Sequence, residues 1–596
     1  MRDLDNPPQH RRSRLRLGRL LPDLMLGAAA ALGLAPFEIW TVTLIALAVL
    51  LARLSRCSPA LAFQRGLAAG IGWFGLGLVW IVEPFLVEPE IYGWMAPFAL
   101  ILMAVGGALF WAIPVWLGSR LAPGPRRRIL AIAAALILSD WLRSWIFTGF
   151  PWALIGHVWI DTPIAQSAAW IGAIGLSALT LTLAALPSLL TRNGSRWGIV
   201  PGTIIACLAG AAIWAGGLAR LEQPLPPDRD LILRIVQPNA EQHLKWDPEW
   251  SQVFFQRLID LSAQPGRRDL VIWPETAVNF LLNDAAEISP YMAEAAGAPL
   301  LLGIQRREGE RYFNSLAALD DRGDSIAIYD KFHLVPFGEY IPWGDTLARI
   351  GIGALAAQNG NGYSAGPGPQ LMSLPGLPAF QPLICYEAIF PQHLRTLKDR
   401  PKWLLQVTND AWFGRFSGPH QHLAQARLRA IETGLPLIRA ANTGTSAVID
   451  PYGRLRDHLE LGAAGKIDAA LPGMLPPTVW TERGPLPIIL PCLFILIVIA
   501  VHGLIRRYGG AAPPAADAAS PEVFSKECEG AKGRVNLPLA LLPNTCGGEE
   551  RPKKVRRTFF SDEGAAPCAG AWPQANRGAA SPRFCVQSRK KRLSLT

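Results

Sequence analysis

Long apolar segments constrain this chain more than any other feature. A membrane-spanning helix needs roughly 20 mostly apolar residues. Eight segments approach or exceed that length, and they cover residues 20–37, 39–54, 60–84, 94–118, 128–147, 163–190, 197–218 and 485–505. The first segment, shortened by Pro22 and Asp23, also has features of a signal peptide, but six further spans follow it directly, which favours a retained anchor. The sequence therefore predicts a membrane helical bundle of about eight spans.

The basic residues indicate orientation in a membrane rather than nucleic-acid binding. The chain has 596 residues, of which 50% are hydrophobic and 17% charged, with a net charge of +11. Its Lys and Arg residues form short clusters between apolar runs and near the C-terminus, for example RRSRLRLGR, RLSR and PRRR. Such placement is typical of the cytoplasmic loops of membrane proteins. We therefore expect no nucleic-acid partner.

The same clusters predict the topology. Alternate loops are basic, namely the N-terminal arm and the loops around Arg56, Arg126 and Arg192, whereas the loops between them are nearly free of Lys and Arg. Basic loops remain in the cytoplasm. Seven spans then place residues of about 220–480 outside, and the eighth span returns the chain. We expect a multi-pass protein of a bacterial inner membrane whose large outer segment lies in the periplasm.

The outer segment differs in kind from the apolar segments. Helix-compatible stretches lie between several of its short β-rich runs, which are LILRIVQPN, DLVIWPE, PLLLGIQ, SIAIYDK, PLICYE, WLLQVTND and PLIRAANTG. This alternation favours an α/β domain. The tail is polar and aperiodic, which favours disorder. The predicted organisation is a basic cytoplasmic arm (1–19), a seven-span bundle (20–218), an extracytoplasmic α/β domain (219–480), an eighth span (485–506) and a cytoplasmic tail (507–596).

Three polar residues end β-rich runs of the outer segment. Glu275 ends DLVIWPE, Lys331 ends SIAIYDK, and Cys385 follows the apolar PLI. Each alone has an ordinary structural role: a helix cap, a solvated charge and a buried thiol. A cysteine that attacks an ester needs a carboxylate to take its proton and a cation for the oxyanion. The three together therefore favour nucleophilic catalysis over those separate roles.

The eight cysteines show no zinc-binding spacing. Cys385 is the only cysteine between residues 219 and 480, so that segment offers it no disulfide partner. We predict neither a metal site nor a cofactor.

Several longer motifs carry a family resemblance. WPETA, YDKFHLVPFGEYIP, LICYEAIFP, VTNDAWFG and PHQHLAQARLRAIETGLPLIRAANTG resemble motifs of the nitrilase, or carbon-nitrogen hydrolase, superfamily. The stretch LRSWIFTGFPWALIGHVW and the span layout resemble its membrane-bound branch, the apolipoprotein N-acyltransferase family. The resemblance extends from about residue 20 to 505. It implies a nitrilase-like αββα sandwich, in which helices flank two β-sheets, attached to the membrane bundle.

The resemblance assigns roles to individual residues. It implies that Glu275 is the general base, that Lys331 stabilises the oxyanion and that Cys385 is the nucleophile. Four further positions match family motifs: Glu339, which positions the lysine, Tyr386 and Glu387, which support the pocket, and Trp246, which lies on a substrate-contacting loop.

The implied reaction is a two-step acyl transfer. A phospholipid, typically phosphatidylethanolamine, acylates Cys385, and the diacylglyceryl-cysteine at the N-terminus of an apolipoprotein then accepts the acyl chain. This is the last step of bacterial lipoprotein maturation. Both substrates lie in the lipid bilayer, and apolar loop residues such as Trp343, Leu347 and Ile350 are compatible either with contact to lipid or with ordinary packing inside the protein.

Two other functions are compatible with parts of the sequence. A membrane-anchored amidase that hydrolyses a small C–N compound shares the three polar residues, but such a substrate needs no bundle of eight spans. A transporter or scaffold tends to place ionisable groups near the bilayer midplane. The predicted spans hold few charges, mainly Asp140 and Arg143.

Overall fold

The structure is a computed structural model that describes residues 17–191, 196–344, 346 and 362–508. The candidate lipid contacts of Leu347 and Ile350, nearly all of the predicted tail and all but the last three residues of the predicted N-terminal arm lie outside these residues.

The apolar part of the chain forms nine helices within the described residues: α1 (Leu21–Ala31), α2 (Trp40–Leu54), α3 (Pro59–Gly77), α4 (Pro89–Tyr92), α5 (Ala96–Leu121), α6 (Pro125–Arg143), α7 (Ala168–Leu189), α8 (Val200–Leu221) and, at the far end, α13 (Leu486–Tyr508). The α/β part contains α9 (Pro248–Ala263), α10 (Ser289–Ala296), α11 (Gly418–Thr433) and α12 (Val479–Arg483).

The prediction of about eight spans is supported only in part. Within the part of the chain that the structure describes, four helical segments are long and apolar enough to cross a membrane, namely Pro89–Leu121, Pro163–Leu189, Val200–Leu221 and Leu486–Ile505. A fifth candidate is Pro59–Gly77 joined to Val79–Leu86 across a bend of 48°. The helices α1 and α2 have only 11 and 15 residues, and α6 begins with three arginines. Every predicted segment contains a helix, but apolar residues continue through turns such as LGLAPFE, where the helix has already ended.

Small residues bring the helices of the bundle into close contact. A Cβ atom on Gly27 of α1 would lie 1.8 Å from the carbonyl oxygen of Ala69 in α3. A Cβ atom on Gly70 would likewise lie 2.6 Å from the Cα of Ala108 in α5. Helices in membranes associate through such small residues because the backbones can then approach each other.

The α/β part is built from two sheets. Its strands are β1 (Ile232–Gln237), β2 (Leu270–Ile272), β3 (Leu300–Glu308), β4 (Arg311–Leu319), β5 (Ser325–Asp330), β6 (Phe380–Ile384), β7 (Trp403–Thr408), β8 (Leu437–Ala441), β9 (Ala447–Ile449), β10 (Leu455–His458) and β11 (Gly465–Ala470). The first sheet has the order β11-β1-β2-β3-β4-β5, and the second has the order β10-β9-β8-β7-β6. The neighbours β1-β2-β3 and β6-β7-β8 are parallel.

The two sheets form the middle layers of an αββα sandwich. Alternate strand residues point to opposite faces, so Ile272 of the first sheet and Ile384 of the second share one core. On the outer faces, Val271 packs in a core with Leu258 of α9, and Leu383 packs in a core with helix α11. This architecture agrees with the predicted sandwich. It also brings the ends of β2, β5 and β6 to one edge of the domain.

Candidate active site

Cys385 begins a strained turn directly after β6. Its φ angle is 50°, an uncommon value for a residue other than glycine, and it opens the short 3-10 helix Cys385–Ile389. The amide Nε2 of Gln406 donates to its carbonyl oxygen over 3.3 Å. Such strain is retained where surrounding contacts enforce it, and it is common at functional sites.

Glu275 follows β2, and a donor reaches each of its carboxylate oxygens. Oε1 accepts from Nδ2 of Asn314 at 2.7 Å and from Nζ of Lys331 at 3.5 Å. Oε2 accepts from the backbone N–H of Asn409 at 2.8 Å. The side chain is almost fully buried, so these donors fix the direction of the carboxylate.

Lys331 follows β5 and is 1% exposed. Its Nζ lies 2.8 Å from Oε1 of Glu339. The other oxygen of Glu339, Oε2, accepts from the backbone N–H of Val335 at 2.8 Å, so the loop that follows Lys331 orients this carboxylate. The structure thus brings Glu275, Lys331 and Glu339 into one buried ion-pair cluster.

Burial and charge set the protonation of this cluster. Burial lowers the pKa of Lys331, but the carboxylates of Glu339 and Glu275 outweigh burial and raise that pKa above its usual range, so the ammonium is retained. Burial, together with Glu275, raises the pKa of the Cys385 thiol, while Lys331 opposes the shift. The resting thiol of Cys385 is therefore neutral.

Glu387 and Tyr386 connect the turn that begins at Cys385 to its surroundings. Oε2 of Glu387 accepts from the hydroxyl of Tyr329 and from the backbone N–H of Ile384 at 2.9 and 2.7 Å. Its Oε1 accepts from the backbone N–H groups of residues 332 and 333, directly after Lys331, at 2.8 and 3.2 Å. The hydroxyl of Tyr386 donates to the carbonyl oxygen of Gly149 at 3.1 Å. Glu387 thus joins the turn of the thiol to the loop of the lysine, and Tyr386 joins it to the apolar helical part.

Trp246 lies on the loop of residues 238–247, which connects β1 to α9. It is about half exposed, and Nζ of Lys245 lies 6.0 Å from its ring centre. Its predicted contact with substrate stays a prediction. Within the described ranges, no group of three or more His, Cys, Asp or Glu side chains is arranged to hold a metal ion.

Two family models match the chain. The model of the apolipoprotein N-acyltransferase N-terminal domain matches residues 26–186, and that of carbon-nitrogen hydrolase matches residues 234–472. The apolipoprotein N-acyltransferase of Rhodopseudomonas palustris is 38% identical over 506 residues, which are 80% of this chain and 94% of that protein. That of Bradyrhizobium diazoefficiens is 37% identical over 519 residues, 82% and 95% of the two chains. This chain belongs to the apolipoprotein N-acyltransferase family. It is therefore an acyltransferase with a carbon-nitrogen hydrolase domain.

Among solved structures, a CN-hydrolase superfamily protein of Xanthomonas campestris is 22% identical, with a TM-score of 0.29, and the match covers 44% of this chain and 97% of that chain.

Sequence reasoning missed Asn314, although it lies between the two carboxylates of the acyltransferase. Its Nδ2 lies within hydrogen-bond distance of Oε1 of Glu275 and of Oε1 of Glu339, at 2.7 and 3.1 Å. The available signal was an Asn inside the strand sequence RYFNSLAAL, because asparagine is depleted in strands. An asparagine tolerated there indicates a polar contact that compensates for its low strand propensity.

Sequence reasoning also missed a buried polar network that contacts the turn at Cys385. Gln406, which contacts Cys385, accepts from NH1 of Arg439 at 2.5 Å. Arg439 also pairs with the carboxylate of Asp410, and Asp410 Oδ1 lies 2.9 Å from Nδ1 of His422. Every member is at most 1% exposed, and such a satisfied network gives a unique local structure. The network supports the strained backbone of Cys385 through the hydrogen bond that Gln406 donates to its carbonyl oxygen.

Proposed function

We propose that this acyltransferase transfers a fatty acyl chain from a membrane phospholipid to the N-terminal diacylglyceryl-cysteine of apolipoproteins, through a thioester on Cys385. The observation that carries the proposal is the buried cluster of Glu275, Lys331 and Glu339 in the same hydrolase domain as the strained, neutral thiol. That arrangement supplies a base, a fixed cation and a nucleophile.

In the first step, Glu275 takes the thiol proton while the sulfur of Cys385 attacks the ester carbonyl carbon. The proton must move during the attack because the resting thiol is neutral. Lys331 stabilises the negative oxygen of the tetrahedral intermediate. The ester C–O bond then breaks, Glu275 returns its proton to the leaving alkoxide, and a lysophospholipid departs from the thioester.

In the second step, the α-amine of the apolipoprotein cysteine attacks the thioester. Glu275 accepts a proton from the amine, the C–S bond breaks, and the thiol of Cys385 recovers its proton as the amide forms. A covalent intermediate of this kind divides one exchange into two and gives ping-pong kinetics. Since Lys331 stays charged in both steps, the same oxyanion position serves both tetrahedral intermediates.

The donor and the membrane arrangement are part of the proposal. We take phosphatidylethanolamine as the donor and place the domain of residues 219–480 in the periplasm. We further propose about eight spans, of which seven form the bundle of residues 20–218 and the eighth is the final helix of residues 485–506. Both substrates carry acyl chains, and leaving the bilayer costs about 0.8 kcal/mol for each CH₂ group. A domain held against the outer leaflet meets both substrates without that cost.

A transport function receives no support from the charged residues of the bundle. NH1 of Arg143 donates to the carbonyl oxygens of Phe150 and Trp152 at 2.6 and 2.7 Å. Oδ2 of Asp140 accepts from the backbone N–H of Ile155 at 3.2 Å. Both side chains thus hold the segment of residues 149–155 in place, which begins with the GFPW sequence (residues 149–152). An amidase for small compounds, the alternative function, would use the same ion-pair cluster. Only the identity of the substrate distinguishes such an amidase from the acyltransferase.

Activity of a Cys385→Ala variant tests the proposed function. We expect it to lose acyl transfer from phospholipid to a diacylglyceryl peptide while it still accumulates in membranes, because no other group replaces the sulfur. Cys207→Ala is the matched control, since Cys207 lies exposed on α8, and it should keep full activity. Transfer by the Cys385→Ala variant would refute the nucleophile. Hydrolysis of small amides by the wild type without any transfer to the peptide would favour the amidase.

Labelling from outside tests the side of the domain. Asp321 lies on an exposed turn between β4 and β5. In a variant without other exposed cysteines, Asp321→Cys should react with a membrane-impermeant maleimide in cells with a permeable outer membrane, whereas Arg56→Cys should react only after lysis. The reverse pattern would place the domain in the cytoplasm.

A further inference from the structure

Lys245 is a buried lysine that the mechanism above does not use. It lies on the loop of residues 238–247, next to Trp246, and is only 4% exposed. Its Nζ donates to the backbone carbonyl oxygen of Glu275 over 3.5 Å. Lysine is almost never fully buried without a partner, because removing a charge from water is costly. The burial of Lys245 therefore calls for an explanation in its contact with Glu275.

The same loop reaches Glu275 a second time, through Asn409. Oε1 of Gln242, three residues before Lys245, accepts from Nδ2 of Asn409 at 2.7 Å. The backbone N–H of Asn409 donates to Oε2 of Glu275 at 2.8 Å. The loop therefore contacts the main chain of Glu275 directly and its carboxylate through one intermediate residue.

Asn442 links Asn409 to the loop of residues 238–247 a second time. Its Nδ2 donates to Oδ1 of Asn409 at 2.9 Å, and its Oδ1 accepts from the backbone N–H of Ala240 at 2.9 Å. Both Asn409 and Asn442 are buried. A displacement of the loop thus perturbs the hydrogen bonds that orient the Glu275 carboxylate.

Charge gives Lys245 a second influence on the same carboxylate. The ion-pair cluster contains two carboxylates, Glu275 and Glu339, and one ammonium, Lys331, and the thiol of Cys385 is neutral. Burial lowers the pKa of Lys245 to about 8, and Glu275 opposes that shift. Lys245 is therefore predominantly charged at neutral pH and adds a second positive charge beside Glu275.

We propose that Lys245 is a positioning residue that couples the placement of the Trp246 loop to the orientation and ionisation of the Glu275 carboxylate. The proposal rests on the proposed role of Glu275 as the base. A substrate that binds against Trp246 therefore affects the orientation and ionisation of the Glu275 carboxylate. The effect passes through Lys245 and through the hydrogen bonds that link Gln242, Asn409 and Glu275. Lys245 itself contacts neither the donor nor the acceptor.

Lys245→Met tests the coupling, with Lys402→Met as the matched control because Lys402 is exposed just before β7. We expect kcat of the Lys245→Met variant to fall roughly 10-fold or more, since a hydrogen bond from a charged donor is lost, while KM for phospholipid changes far less. Without the neighbouring positive charge, the carboxylate protonates more readily. The acidic limb of the kcat/KM profile should therefore move to higher pH, whereas Lys245→Arg should keep it close to its original position.

Three results would overturn the proposal. One is a Lys245→Met variant with the kcat and pH profile of the Lys402→Met control. The second is a change in KM alone, which would mark Lys245 as a contact for the lipid headgroup. The third concerns Lys245→Gln, which is measured instead if the methionine variant does not accumulate. An acidic limb of its kcat/KM profile that stays at the wild-type pH would also contradict the proposal. Cys385→Ala, measured in parallel, separates the two claims, because only its continued activity would refute the proposed function itself.

Discussion

At the scale of single residues, Glu387 determines how the turn at Cys385 is held. Its two oxygens accept four hydrogen bonds, from the hydroxyl of Tyr329, the backbone N–H of Ile384 and the two backbone N–H groups after Lys331. Both the strand that ends at the thiol and the strand that ends at the lysine therefore depend on one carboxylate. The side chain is fully buried, so water cannot replace a lost acceptor.

Glu387→Gln should disturb both turns. The amide NH₂ group cannot accept a hydrogen bond, so it leaves buried N–H groups unpaired, at a cost of about 1–3 kcal/mol for each unsatisfied group. We expect a lower Tm in thermal unfolding and a lower kcat. Tyr329→Phe is the control, since it removes one donor and leaves every backbone bond, and its loss of stability should be smaller. A glutamine variant with the Tm of the wild type, or a larger effect of Tyr329→Phe, would contradict this account.

Local sequence shows which residues end strands, but not which distant residues meet there. Glu275, Lys331 and Cys385 were predicted as a group from their positions after apolar runs, and the structure brings Glu275 within 3.5 Å of Lys331. Asn314 and Lys245 contact the same cluster from a strand and a loop that carry no catalytic motif. Their contacts arise from the pairing of β4 with β5 and from the path of one loop, which local sequence does not determine.

At the scale of secondary structure, the seven predicted β-rich runs correspond to β1, β2, β3, β5, β6, β7 and β8. The four missed strands lack a long apolar run: β4 contains Asn and Ser, β9 has only three residues, β10 is mostly exposed, and β11 contains Lys and Asp. The ends of α1, α3 and α6 were predicted too late, at residues 37, 84 and 147 instead of Ala31, Gly77 and Arg143, because hydrophobicity does not fall where these helices end.

One helix carries a kink that joins the bundle to the sandwich. Gly172 of α7 has a φ of 63° and a ψ of −175°, and a Cβ atom there would lie 2.2 Å from Nε1 of Trp480. The kink directs the backbone N–H of Ala173 to Oε1 of Glu432 in α11, at 2.7 Å. Glycine is required here both by the backbone angles and by the close approach of the indole.

Gly172→Ala should destabilise the protein. Positive φ for alanine costs about 1–3 kcal/mol, and the methyl group also displaces Trp480. We expect a clear fall in Tm in thermal unfolding of the detergent-solubilised protein. Gly210→Ala in α8 is the matched control, since nothing lies within 4 Å of its Cβ position, and alanine favours a helix by up to about 1 kcal/mol. Equal Tm values for the two variants would contradict the role given to the kink.

At the scale of the whole molecule, the GFPW loop (residues 149–152) connects the helical bundle to the carbon-nitrogen hydrolase domain. Trp152 is fully buried, and its Nε1 donates to Oε1 of Gln421 in α11 at 2.6 Å. On the same loop, the carbonyl oxygen of Gly149 accepts from the hydroxyl of Tyr386 at 3.1 Å. The residue next to the thiol is thus bonded to the bundle. The sequence identified GFPW as a family motif, but these partners, more than 200 residues away along the chain, depend on the packing of the two parts.

The proposed function depends above all on an acyl-enzyme at Cys385. The most direct test is the intact mass of the purified protein after incubation with phospholipid alone. We expect the wild type to gain the mass of one fatty acyl chain on Cys385 and to lose it when a diacylglyceryl peptide is added, while Cys385→Ala gains none. Release of lysophospholipid without any gain in the mass of the wild type would contradict the account, as would the same gain in Cys385→Ala.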